Sequence, residues 1–347
     1  MTRKVWIDTD PGLDDAIALL MAFQHKNFEI IGISVSAGNG PLDAMLANVV
    51  RIINLFPGVN IKVYRGADRA LLGKNYLPIG FSSYFHGSDG LGDRPNISPE
   101  TPSKSEVQKL VEAEPACQGI VQAVDLYKGQ LELICLGALT NLALATRIDE
   151  NLPSKLKKLV VMGGNLFCTG NVTPTGEFNF RADPEAAYIV LDSYQVLKEN
   201  MILVPWETCR AMGLSPQDIT TDQLLERTSK DYLPFAELLI SKYADSEPIN
   251  AGEGDLVYNG NRSRYFSICD AFAMACLIDE TIITGKEVTK CSVELQGQLT
   301  RGTTIIYRGE NYSGTFGDYI GRLEKITVVN KIDKEKFKSM LLTAFKF

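Results

Sequence analysis

The stretch VWIDTDPGLDDAIALL, residues 5–20, contains a strand, a turn and a helix in succession. VWID (5–8) is a short apolar run, interrupted only at its end, the pattern of a strand covered on both faces. Pro11 and Gly12 make a tight turn. DDAIALLMAFQ (14–24) follows, with Ala16, Leu19, Leu20 and Phe23 at helical spacing. A buried strand that feeds straight into a helix is the first half of a βαβ unit.

The same alternation recurs outward from there. IIGISVS (30–36), IKVYRG (61–66), LELICLG (131–137), KLVVMGG (158–164) and MILVPW (201–206) read as strands. AMLANVVRIINLF (44–56), TNLALAT (140–146) and DPEAAYIVLDS (183–193) read as helices. The pattern predicts an α/β fold: an open, mainly parallel central sheet flanked by helices, in a single domain over residues 1–347. The tail alternates in KCSVELQG, GTTIIYRG and EKITVVN, about residues 290–329, and predicts an antiparallel appendage or edge strands before a last helix, KEKFKSMLLTAF. Residues 74–102 and 244–267 lack apolar periodicity and are expected to be mobile active-site loops.

The chain has 347 residues, 35 of them basic and 42 acidic, for a formal net charge of -7. That balance argues against nucleic acid as a partner, because phosphate contacts need clustered Lys and Arg. No run approaches the ~18 apolar residues of a membrane span, and no apolar signal stretch follows Met1. Seven cysteines, without CxxC spacing, suit reduced thiols in a cytoplasmic protein. The two histidines, His25 and His86, exclude a multi-histidine zinc site.

Chemistry concentrates in DTDPGLDD. Asp8, Asp10, Asp14 and Asp15 fall within eight residues at the carboxyl end of a buried strand, where parallel sheets hold their ligands. Asp14 and Asp15 also suit a helix start, where acids meet free N–H groups. Four packed carboxylates repel one another unless a cation compensates, and oxygen-only ligands point to a hard ion, Ca²⁺ or Mg²⁺. VMGGNLFCTGNVTPTGEFNFRADPEAA carries Asn171, Glu177 and Asn179, amide and carboxylate groups suited to sugar hydroxyls, although Asn and Gly also dominate turns. In ICDAFAMACLID, Asp270 stands at another helix start, preceded by Cys269.

DTDPGLDDAIALL, CLGALTNLALA, VVMGGN…GNVTPTGEFNFRADPEAA and CDAFAMA, taken in this order over about residues 5–275, resemble the inosine–uridine-type nucleoside hydrolases. The resemblance implies that family's open α/β fold with a Rossmann-like core, one tightly bound Ca²⁺, a nucleoside substrate, cleavage of the N-glycosidic bond, and assembly as homodimers or homotetramers. It implies Asp10 as general base and Asp10, Asp15, Asp270 and the Leu136 carbonyl as calcium ligands. Ala138 stands where the family has proline, which a backbone ligand tolerates. Asp14 and Asn179, with the calcium, would hold the ribose 2′- and 3′-hydroxyls, Asn171 and Glu177 the 5′-hydroxyl, and Asn39 would lie beside the calcium and its water. Asp270 thus faces both metal and sugar. A water acidified by the ion would give its proton to Asp10 and attack C1′ through an oxocarbenium-like state.

Cys269 breaks the pattern, because many members place His or Trp before the last calcium Asp. A buried neutral thiol is a poor acid at neutral pH. His86, in HGSDGLGD, is the candidate leaving-group acid, with Arg262, Arg264 and Tyr258 behind it; Phe81, Tyr84 and Tyr258 are candidates to stack on a base. The missing histidine favours purine nucleosides such as inosine and guanosine. Two other readings compete. One is a haloacid-dehalogenase-type phosphatase, with Asp8 as nucleophile and Asp10 as acid. The other is a non-catalytic nucleoside-binding protein of the same fold, for which a base beside the metal has no purpose.

Overall fold

β1 (Arg3–Thr9) sends its side chains alternately into two cores. Val5 and Ile7 enter one hydrophobic cluster and Trp6 the other. β4 (Leu131–Cys135) and β5 (Lys158–Met162) repeat this: Leu133 and Val161 join Trp6, while Ile134, Val160 and Met162 join Val5 and Ile7. Both faces are apolar because both are covered, which explains why these strands show no polar alternation.

The computed structural model describes residues 2–56, 58–73, 85–214, 218–219, 221–229, 233, 235–239, 268–309 and 314–346. Beside the three strands above lie β2 (Phe28–Val35), β3 (Val63–Arg65), β6 (Met201–Val204), β7 (Ile283–Val293), β8 (Thr304–Tyr307) and β9 (Ile326–Ile332). They form a sheet in the order β3-β2-β1-β4-β5-β6-β9-β7-β8. The first core is closed by α1 (Leu13–Gln24), α2 (Leu42–Ile53) and the helices Cys269–Ile278 and Lys334–Ala344. Helices Ala116–Leu126, Thr140–Ile148 and Pro184–Tyr194 close the second. α1 is buried from Leu13 through Ala22, Asp14 and Asp15 included, because it packs against both Cys269–Ile278 and Lys334–Ala344.

β7 and β8 are the antiparallel edge strands expected of the tail, but β9 is no appendage. β9 pairs parallel with β6 and so extends the main sheet. Only β7 and β8 are antiparallel, β7 pairing with both β9 and β8. EKITVVN is too short for its alternation to distinguish an edge strand from an interior one, and four successive residues, Ile326 to Val329, are buried. Among the described residues no helix is long and apolar enough to cross a membrane.

From β1 the chain runs outward through β2 to β3, then returns on the other side of β1 as β4 and continues outward to β5 and β6. The crevice between the carboxyl ends of β1 and β4 is therefore the topological switch point, the usual ligand position in an open α/β sheet. DTDPGLDD leaves the sheet there.

Candidate active site

Asp10 lies one residue beyond β1, buried, between two glycines at neighbouring strand ends. A Cβ on Gly38 would stand 1.9 Å from Asp10 Oδ2, and one on Gly137 2.4 Å from Oδ1. Neither position needs an unusual backbone; what the carboxylate needs is the space. Asn39 fixes it, donating its backbone N–H to Oδ2 at 2.9 Å and its side-chain Nδ2 to the Asp10 carbonyl at 3.0 Å. Asp10 Oδ1 is buried without a hydrogen-bond partner. Such an atom is costly unless a ligand, ion or water satisfies it.

Asp15 is the best-held acid of the group. Its Oδ1 accepts from the Thr9 hydroxyl and, at 3.3 Å, from Asp10 N–H. Its Oδ2 accepts from Gly12 N–H at 2.9 Å and Asn39 Nδ2 at 3.1 Å. The Gly12 bond is the helix-start role expected of it, so Asp15 both caps α1 and faces the site. Asp14, Asp15 and Asp270 offer ligand oxygens that all lie within 4.8 Å of one another, each residue buried. Asp270 arrives at this point because Cys269–Ile278 packs on α1.

The electrostatics match the crowding. Burial, then the charges of Asp15, Asp14 and Asp8, push the Asp10 carboxyl well above the usual range. Burial, then Asp14, Asp15 and Asp10, does the same to Asp270. Buried acids that repel one another, with the orphan Asp10 oxygen beside them, are a donor set suited to a hard divalent cation. The residues present therefore fit a hard divalent cation, the class to which the calcium implied by the resemblance belongs.

Opposite them, at the ends of β4 and β5, Asn179 Nδ2 donates to the Leu136 carbonyl at 2.7 Å and to the Met162 carbonyl at 3.2 Å. A carbonyl oxygen has two lone pairs, so this bond does not exhaust Leu136. Glu177 caps the helix Phe178–Ala182, accepting from the N–H groups of Gly164, Asn179 and Phe180. Burial nevertheless raises its carboxyl to about 7. Asn171 Oδ1 is a further buried oxygen without a partner, in a turn closed by backbone bonds to the Gly176 carbonyl.

His86 sits over the Pro11–Leu13 turn. Its Nδ1 accepts from Leu13 N–H at 3.1 Å, and a Cβ on Gly12 would come within 2.5 Å of the same nitrogen. In the neutral ring the proton then resides on Nε2. Around it the HGSDGLGD segment is knit by its own groups: Gly92 N–H reaches the His86 carbonyl at 2.6 Å, and Asp93 accepts from Ser88 and Asp89 N–H. Cys269 touches the Cys209 thiol, and burial pushes its own thiol well above the ordinary value. Asp8 is fully buried, its Oδ1 occupied by Ser34 and Asn141, an unsuitable place for the phosphatase nucleophile. Residues 244–267, residues 74–84, Phe81, Tyr84, Tyr258, Arg262 and Arg264 lie outside the described residues.

Residue-by-residue reading of the sequence missed Thr9, Gly38 and Gly137. Gly38 and Gly137 carried a usable signal: they lie just beyond and at the end of predicted strands, in SAGNG and CLGALTN, where close approach of a side chain calls for glycine.

The family model described as inosine-uridine preferring nucleoside hydrolase matches residues 5–339. Uridine nucleosidase 1 of Arabidopsis thaliana is 37% identical over 191 residues, 55% of this chain and 54% of the relative. The chain thus spans about half the length of that relative. The inosine-uridine preferring nucleoside hydrolase of Leishmania major is 29% identical over 310 residues, 88% of each chain. Among solved structures, an inosine-guanosine nucleoside hydrolase superposes with a TM-score of 0.82 at 29% identity, over 100% of this chain and 99% of the other.

Proposed function

The chain belongs to the inosine-uridine preferring nucleoside hydrolase family, and from that membership we propose that it is a calcium-dependent hydrolase of the N-glycosidic bond of ribonucleosides, with purine nucleosides preferred. The observation that carries this reading is the seat of Asp10: a buried carboxylate at the switch point, one oxygen held by Asn39 and the other orphaned, beside the nest of Asp14, Asp15 and Asp270.

Asp10, Asp15, Asp270 and the Leu136 carbonyl would hold the ion, with Asp14 at the same nest. When bound, a hard divalent cation would supply charge compensation there and lower the pKa of a water. Asp10 Oδ1 takes the proton of the attacking water while Asn39 keeps Oδ2 engaged. The new bond forms from the water oxygen to C1′ as the C1′–N bond breaks. Asp14 and Asn179 bind the 2′- and 3′-hydroxyls, and Asn171 Oδ1 and Glu177 the 5′-hydroxyl, which fixes the anomeric carbon against Asp10. The surrounding carboxylates favour the positive charge that develops on the sugar. The departing base takes its proton from solvent, with the Nε2–H of His86 donating a hydrogen bond to it as it leaves: a neutral ring whose Nδ1 accepts from Leu13 N–H keeps its one N–H proton. Cytoplasmic location and a homodimer or homotetramer complete the proposal.

The space around Asp10 supports a direct test. Gly137→Ala is expected to lower kcat about a hundredfold by displacing the carboxylate roughly an ångström, with the unfolding temperature little changed. Wild-type turnover in the folded variant would detach the seat of Asp10 from the activity. Base preference is decided by initial rates on inosine, guanosine, adenosine, uridine and cytidine. Purine turnover is expected to exceed pyrimidine turnover about tenfold, the scale of a modest pocket difference. Dominant uridine hydrolysis would refute the preference, and phosphate release without ribose from phosphorylated substrates would refute the hydrolase reading.

A further inference from the structure

We infer that Asp8 and Asn141 are positioning residues of this site: together they lock four adjacent strand ends in the register that presents Asp10 and the Leu136 carbonyl. The inference rests on the reading of Asp10 as the base.

Asp8 is fully buried in β1, in register with Ser34 of β2 and Cys135 of β4. Its Oδ1 accepts from the Ser34 hydroxyl and, at 2.8 Å, from Asn141 Nδ2. The Ser34 oxygen in turn accepts from Trp6 Nε1 at 2.9 Å. Asn141 stands in the first turn of the helix Thr140–Ile148, directly after β4. Its Oδ1 accepts from Ala67 N–H at 2.8 Å, just beyond β3. The Asp8 carbonyl accepts from Leu136 N–H at 2.8 Å. One hydrogen-bonded run therefore links Ala67, beyond β3, through Asn141 to Asp8 of β1 and on to Ser34 of β2, and the Asp8 backbone extends it to Leu136 at the end of β4. It has no slack at Gly66, where a Cβ would meet Asn141 Oδ1 at 2.3 Å and the Val35 carbonyl at 2.4 Å.

Stability alone does not explain this choice of residue. Asp8 Oδ2 is buried without a partner, and a buried carboxylate with an orphan oxygen is a costly way to join strands. An apolar side chain of similar size often serves stability as well or better. What the carboxylate adds is direction, because one acceptor oxygen fixes Ser34 and Asn141 relative to a residue two places from Asp10.

The test compares Asp8→Leu, Asp8→Asn and Asn141→Ala with the wild type by calcium calorimetry, thermal unfolding and steady-state kinetics. Asp8→Leu and Asn141→Ala are expected to weaken calcium binding and lower kcat by about 10–100-fold each, the usual cost of losing a partner that orients a metal site. At saturating calcium KM should stay within about threefold, because the groups that touch ribose, the ion included, are then all present. Asp8→Leu should unfold at or above the wild-type temperature. Asp8→Asn keeps the acceptor oxygen and should restore both readouts to within about threefold of wild type. The double variant should be little worse than the poorer single one, as for two residues acting through one contact. Folded Asp8→Leu or Asn141→Ala with wild-type calcium affinity and kcat would overturn the inference, as would losses that follow the unfolding temperature. Should Asp8→Leu fail to fold, Asn141→Ala decides. If the wild type hydrolyses no nucleoside, the proposed function fails, while the calcium titrations still decide for or against the lock.

Discussion

Asp10→Ala is expected to cut kcat by about a thousandfold or more, within or above the 10²–10⁴ range of general base catalysis because the residue is also a proposed metal ligand, while the protein stays folded. Asp10 makes few bonds that the fold needs. Its Oδ2 takes one backbone N–H, from Asn39, and its Oδ1 takes none. Against this, burial and three neighbouring acids oppose its charge. Removing the carboxylate relieves that repulsion, so the metal-free variant should unfold at the wild-type temperature or slightly higher. Loss of turnover with undiminished stability is the signature of a group retained for chemistry. Near-normal turnover in the variant would remove Asp10 from the base role. Asp10→Asn is the sharper companion, since it keeps the shape and the acceptor for Asn39 but cannot take the proton of water.

Chelation of calcium is expected to abolish turnover, by about a thousandfold, and to expose a pH dependence of stability that the ion conceals. Asp8 and Glu177 titrate at about 7, raised chiefly by burial. Asp10 and Asp270 lie well above the usual range, by burial and then by neighbouring acids. A carboxyl with a raised folded pKa holds its proton more tightly folded than unfolded. Its stabilising contribution is fully present below the unfolded value of ~4 and is lost as pH rises through the folded value. Metal-free protein should therefore lose stability steadily from about pH 4 to 7, and further for Asp10 and Asp270. Calcium at a hundred times its Kd adds about 2.7 kcal/mol, or roughly 3–6 °C for a chain of this size; at one fixed calcium concentration the gain should be larger at pH 8 than at pH 5. Unfolding scans with calcium and with chelator at both values provide the measurement. Equal stabilities at pH 8, with turnover intact under chelator, would remove the cation from the site.

The strand–helix alternation made most of the parallel sheet legible, because both-faced burial leaves long apolar runs in β1, β4 and β5. The place of β9 was hidden, since a short run such as ITVVNKI fits an edge or an interior position equally and only β6 decides. Asp10, Asp14 and Asp15 stood out by local density, and Asp270 joined them by resemblance. The sequence could not disclose that Asp14 shares with Asp15 and Asp270 the cluster whose oxygens lie within 4.8 Å of one another, because that depends on the angle at which two helices meet. Nor did spacing mark Asn39 as the residue that holds Asp10 and Asp15 together. The amide is common in turns, and only the fold separates a turn former from a bridge.

The packing of Cys269–Ile278 on α1 also has a consequence for synthesis. Asp14 and Asp15 leave the ribosome early, and Asp270 follows some 255 residues later, roughly 13–50 s at typical elongation speeds of ~5–20 residues per second. For that interval the nascent chain carries two of the nest's carboxylates without the third. The proposed metal nest is thus completed late: a chain released before Asp270 lacks one of its three carboxylates.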